Sequence, residues 1–218
     1  MGLVDAWDIE RTWGSHQAVL KAVVEVLKPE SAVECGCGNF STPILAQLPS
    51  LHTYEHDIVW ANKMRADYAD HEWTMERISA KNPDRISELP ENEFENICKL
   101  YSDWAKEQGS FDLLFVDTFT CCRVPATACF GLKAKYIISH DHEPPGEEVY
   151  NWSMLDPFLA PWYKYTHRPD GKINGVHQIP WTNLYSREEL DIDALNSVLL
   201  PESRRLWGVD TKLEIIND

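Results

Sequence analysis

Positive charge is in short supply in this sequence: 20 lysines and arginines stand against 35 aspartates and glutamates, a formal net charge of −15. Such a field repels phosphate backbones, and no Lys/Arg-rich run supplies a local basic groove, so a small-molecule substrate is expected and nucleic acid is not. Long apolar runs are missing as well, which argues against a membrane span. The acidic start Met1–Asp8 has neither the basic region nor the apolar stretch of a secretory signal, so a cytoplasmic location is expected. Spaced Cys-x-x-Cys pairs are absent. The six cysteines, at positions 35, 37, 98, 121, 122 and 129, therefore read as reduced thiols in or near a core rather than as a thiolate zinc site. No Pro/Gly/Ser-rich linker divides the 218 residues, and one domain over 1–218 is expected, with a helical segment over 1–30 and a lid and closing strands over 143–218. Oligomeric state is not readable.

What is present is an alternation of helical and strand periods, the pattern of helices covering a mostly parallel sheet. Val19, Leu20, Val23, Val24 and Leu27 share a helical face that Pro29 ends. Strands are expected at about Ala32–Cys35, His52–Glu55, Trp73–Ile78, Phe111–Asp117 and Lys135–His142, then Tyr163–His167 and Trp181–Tyr185, with a turn at Pro169–Lys172. Helices are expected from Ser41, through Val59, Trp60, Met64 and Tyr68, from Pro90 to Gly109, and through Ala126 and Leu132. The continuous apolar centre of Phe111–Asp117 suits a central strand covered on both faces. Glu34, Glu55, Asp117 and Asp141 then fall at the carboxyl ends of strands, where open parallel sheets bind their ligands.

The segment Ser31–Thr42 carries the strongest functional signal. An apolar strand runs into the loop Glu34-Cys35-Gly36-Cys37-Gly38, whose glycines let a ligand approach the backbone, and Ser41 and Thr42 open the next helix. About twenty residues on, the next strand ends in Tyr54-Glu55-His56-Asp57, where an acid can accept hydrogen bonds from a ribose diol. Nicotinamide-binding loops share this outline. An acid just before the first glycine, however, repels a pyrophosphate and suits a cationic ligand.

These residues resemble class I S-adenosylmethionine-dependent methyltransferases, from about Trp13 to Asp141. Val33–Thr42 is similar to the family's acid-x-Gly-x-Gly loop, Tyr54–Asp57 with Trp60 to its ribose-binding strand end, and Phe111–Arg123 and Ile137–Asp141 to its later strands. The loop departs from the common pattern in lacking a third glycine, with Phe40 in place of a small residue. The resemblance implies an α/β fold, a three-layer Rossmann-like sandwich whose mostly parallel sheet has an antiparallel C-terminal strand. It implies S-adenosylmethionine as cofactor, held by Glu34, Gly36, Cys37, Gly38, Ser41, Thr42, Glu55, His56 and Asp117, and methyl transfer to a small molecule, at oxygen.

Methyl transfer from a sulfonium needs an aligned acceptor and one base. His140, Asp141 and His142 are the catalytic candidates, since imidazole titrates near neutral pH. Similarity to metal-dependent O-methyltransferases offers Asp117, Asp141 and His142 as ligands of a divalent metal, although those enzymes generally carry an amide where His142 stands. Arg123 reads either as an anion clamp or as the partner of a nearby acid. Trp13, His16 and the cluster Tyr150, Trp152, Phe158 and Trp162 read as a pocket roof or as ordinary packing of the last strands. The competing functions are an NAD(P)-dependent oxidoreductase, a metal-dependent hydrolase and a non-catalytic module that binds an adenosyl cofactor.

Overall fold

A computed structural model describes residues 14–78, 85–169, 172–173, 177–208 and 210–215. Helix α1 (Gln17–Leu27) leads into strand β1 (Ser31–Cys35), the short helix α2 (Thr42–Leu45), β2 (Ser50–Glu55), α3 (Ile58–Asp67) and β3 (Glu72–Met75). The long helix α4 (Glu91–Glu107), β4 (Phe111–Val116), α5 (Arg123–Gly131) and β5 (Ala134–His140) follow. The remainder comprises α6 (Pro144–Tyr150), α7 (Asp156–Leu159), β6 (Tyr163–His167), the two-residue pair β7 (Lys172–Ile173) and β8 (His177–Gln178), β9 (Thr182–Ser186), α8 (Ile192–Trp207) and β10 (Leu213–Ile215).

Eight strands form one sheet in the order β10-β6-β9-β5-β4-β1-β2-β3. β1 to β5 are mutually parallel, whereas β9 runs antiparallel to β5 and β6, and β10 antiparallel to β6. Two strands therefore oppose the parallel set, where the sequence pointed to one. Alternation along the central strands explains the layering. Leu113 and Phe115 join Val19, Val23, Leu195 and Leu199 on one face, while Leu114 and Val116 join Ile97, Tyr101, Trp104 and Phe130 on the other. Helices α1 and α8 pack together on the first face, and α4 and α5 on the second.

Register brings the strand ends level. Cys35 pairs with Tyr54 and Val116, and Val116 with Ser139, so Gly36, Glu55, Asp117 and His140 emerge side by side. The third strand stops at Met75, short of Ile78, and the helix expected from Ser41 is only four residues long. The aromatic cluster is packing: Trp152 and Leu155 are buried with Ile86 and Val124, and Phe158 and Trp162 pack on the face of α4 and α5. Trp13 and the central residues Asp170 and Gly171 of the expected Pro169–Lys172 turn lie outside the described residues.

Candidate functional site

The glycine loop turns at Gly36, whose φ is +90°, and a Cβ there would stand 2.1 Å from the Asp117 carbonyl oxygen. Glycine is required on both counts. Gly38 is different: a Cβ there would meet nothing closer than Ser41 Oγ at 3.7 Å, an ordinary contact, and its φ is not positive. Beneath the loop Glu34 is fully buried and accepts hydrogen bonds from Ser41 Oγ at 2.7 Å, Thr42 Oγ1 at 3.0 Å and Thr53 Oγ1 at 2.9 Å. Burial pushes its carboxyl up to about 7; the three hydroxyls oppose this, and the charge of Glu55 adds to it. Glu34 thus braces the loop from below rather than presenting a carboxylate to a ligand.

Glu55 lies beside it and accepts from the amides of Cys37 at 2.9 Å, His56 at 2.7 Å and Asp57 at 2.8 Å. The Trp60 indole N–H donates to the Cys37 carbonyl at 2.8 Å, holding the other side of the loop. His56 turns inward, donating from Nδ1 to the Glu76 carbonyl at 3.0 Å and accepting at Nε2 from Tyr101 at 2.7 Å. Burial lowers its pKa to about 4. The structure thereby removes His56 from the ligand-facing set.

Between this loop and β4 lies a cavity of about 460 Å³ lined by Gly36, Cys37, Gly38, Ser41 and Asp117 from the expected set, together with His16, Asn39, Phe40, Trp60 and Lys63. Phe40 leans toward Gly14 and forms a wall rather than a plug. Lys63 gave no signal in the sequence. It is an exposed helical lysine whose ammonium sits 4.6 Å above the Trp60 ring, and only the turn of α3 toward the loop brings it here.

The other half of the strand edge is held by charge. Arg123, at the start of α5, places Nη2 2.7 Å from Asp117 Oδ1 and 2.8 Å from Asp141 Oδ2, donates to the Thr118 and His140 carbonyls, and stacks 4.4 Å from the Tyr150 ring. It is a structural cation, not an anion clamp. Burial opposes ionisation of Asp117, but Arg123 and His140 outweigh it and hold the carboxyl well below the usual range. Asp141 occupies the left-handed region at φ 64° and accepts from Tyr150 at 3.0 Å.

His140 is buried, with Nδ1 3.4 Å from Asp117 Oδ2 and 3.3 Å from Asp141 Oδ1, and Nε2 2.6 Å from Ser15 Oγ. Burial lowers its pKa, but the two acids raise it further, and the net shift is upward. His16, at the entry to α1, is 2 % exposed and has no hydrogen-bond partner at either ring nitrogen. Its pKa falls to about 3, through burial first and then the neighbouring His140.

His142 does not join Asp117 and Asp141. Its Nε2 contacts Ser139 Oγ at 2.6 Å, its ring stacks 4.2 Å from Trp152, and it lines a separate cavity of about 250 Å³ with Lys164, Arg168, Asn183 and Tyr185. The place between the two acids is filled by the Arg123 guanidinium. The expected grouping of Asp117, Asp141 and His142 around a metal is therefore not formed.

No family model matches the chain, and no curated protein matches it. Among solved structures, a probable spermidine synthase from Corynebacterium glutamicum superposes with a TM-score of 0.59 at 9% identity, covering 94% of this chain and 74% of its own. The N-methyltransferase NodS from Bradyrhizobium japonicum superposes with a TM-score of 0.54 at 9% identity, covering 86% of this chain and 100% of its own. The chain therefore shares the Rossmann-like α/β fold of these two structures, with a mostly parallel sheet and antiparallel C-terminal strands.

Proposed function

We propose that this protein is an S-adenosylmethionine-dependent methyltransferase acting at an oxygen of a small-molecule acceptor. The observation that carries the reading is the state of the glycine loop. The amides of Cys37, Gly38, Ser41 and Thr42 are engaged by Glu55, Thr42 Oγ1 and the Gly38 carbonyl, directly above two buried carboxylates. A pyrophosphate needs free amides at a helix N-terminus; this loop offers a neutral or cationic ligand a better place. The cavity volume falls within the range of roughly 300–1,000 Å³ typical of small-ligand sites.

Gly36 and Gly38, which line the cavity, would admit the ligand to the backbone, and Glu55, behind that lining, holds the loop in place through the amides of Cys37, His56 and Asp57. Trp60 and Phe40 supply apolar walls. When bound, S-adenosylmethionine supplies the electrophilic methyl group. The protein's share of the chemistry is to hold an acceptor in line and accept its proton. Asp117 lines the cavity with its Oδ2 3.4 Å from Nδ1 of His140, the imidazole whose proton affinity is raised by the acids despite burial and which can assist the second task through it, and Lys63 also lines the cavity. The fold neighbour named as an N-methyltransferase supports transfer chemistry on this scaffold, and the acidic surface supports a small acceptor over nucleic acid.

Calorimetric titration with S-adenosylhomocysteine beside NAD tests this reading. Saturable heat is expected from the first alone, weakened in Glu55→Ala with the fold retained by circular dichroism. Heat from NAD alone, or from neither ligand, overturns it.

A further inference from the structure

His16, Asp117 and His140 offer donor atoms that all lie within 4.8 Å of one another, and we propose that they bind a divalent transition-metal ion of zinc or ferrous type at the inner end of the cavity. The geometry of each residue points the same way. Asp117 gives Oδ1 to Arg123 and leaves Oδ2 3.5 Å from His16 Nδ1 and 3.4 Å from His140 Nδ1. Donors around a tetrahedral ion with bonds of about 2 Å stand roughly 3.3 Å apart, so two of the three separations are already near that value.

The orientation of His140 is fixed from behind. The single Ser15 hydroxyl hydrogen goes to the Pro180 carbonyl at 2.9 Å, so Ser15 Oγ accepts at 2.6 Å from the His140 Nε2–H. With Nε2 held by Ser15, the Nδ1 edge of His140 is the one turned to the two acids, 3.4 Å from Asp117 Oδ2 and 3.3 Å from Asp141 Oδ1, and a metal ion bound there would take the place of the Nδ1 proton. Metal-bound imidazoles generally hold their second nitrogen in this way. His16 supplies an independent observation: a buried imidazole lining the cavity, with neither nitrogen hydrogen-bonded. A buried polar group without a partner is destabilising, and coordination through Nδ1 gives one nitrogen a partner.

Charge and ligand type select the ion. Asp117 and Asp141 against Arg123 leave one negative charge once His140 gives up its Nδ1 proton to the metal, and two imidazoles with one carboxylate suit zinc or ferrous iron over magnesium. Open coordination positions would face the cavity and lower the pKa of an acceptor hydroxyl. That use rests on the methyltransferase reading; metal binding itself does not.

The test is binding by the full-length, chelator-stripped protein without any nucleoside, using calorimetry for Zn²⁺ and Mg²⁺ and visible absorption for Co²⁺. One-site saturable binding of Zn²⁺ and Co²⁺ is expected, without the near-ultraviolet thiolate-to-cobalt band that the cysteines would give, and with no Mg²⁺ heat. His16→Gln should abolish it, and Ser15→Ala should weaken it about tenfold through the loosened His140. If His16→Gln does not fold, Ser15→Ala carries the test. Absence of saturable binding, a thiolate band, or affinity unchanged in the folded variants overturns the proposal, whatever S-adenosylhomocysteine does.

Discussion

The two halves of the strand edge solve the problem of buried acid differently. At the ends of β1 and β2, Glu34 is surrounded by hydroxyls and Glu55 by amides. At the ends of β4 and β5, Asp117 and Asp141 are balanced by one guanidinium, with two imidazoles at looser distances of 3.3–3.5 Å and one of them unpartnered. The first half is a finished network and acts as scaffold. The second has unused donors, and unused donors in a buried site are where a ligand gains most.

The comparison can be broken most forcefully at Arg123. Arg123→Met leaves Asp117 and Asp141 facing each other without their cation and should destabilise the protein by about 3–5 kcal/mol in urea unfolding; a change below about 1 kcal/mol would show that the second half does not depend on charge balance. Glu34 tests the first half through pH. Its carboxyl rises from 4.5 to about 7 on folding, so its contribution is full below pH 4.5 and is lost as pH climbs through about 7, on the order of 3 kcal/mol. Stability of the wild type minus that of Glu34→Gln should therefore fall across that window, and a flat difference curve would contradict the assignment.

Gly36→Ala should lower stability by about 2 kcal/mol or more, because the alanine meets both a positive φ and the Asp117 carbonyl, while Gly38→Ala should stay within about 0.5 kcal/mol. Equal losses would mean that the loop tolerates no side chain anywhere. The smallest effect concerns Asp57, which caps α3 by accepting from the amides of Val59 and Trp60. Asp57→Ala should cost about 1 kcal/mol by thermal unfolding and leave the second half untouched.

The inner parallel strands were legible because β1, β2, β4 and β5 are short, largely apolar runs with an acid at or beside their carboxyl ends, as in Phe111–Val116 followed by Asp117, and because α1 and α4 keep clean helical stripes. The tail was not. Helix α8 carries an internal Pro201 and a charged exposed face, so its apolar side shows weakly against the pattern, and β10 is three residues long. Among site residues, the loop glycines and Asp117 could be read from spacing. The inward turn of His56 and the turn of His142 into the second cavity could not, because both follow strand-end acids in the sequence and only contacts such as Tyr101 with His56 and Trp152 with His142 decide which way each ring faces.

The pairing of α1 with α8 has a consequence for the order of assembly. An early helix shares its face of the sheet with residues 192–207, so that layer is completed only when nearly the whole chain has emerged, and long-range closure of this kind is slow. His16 stands at the head of that helix. The constellation it completes with Asp117 and His140 is therefore tied to the docking of that helix on the sheet.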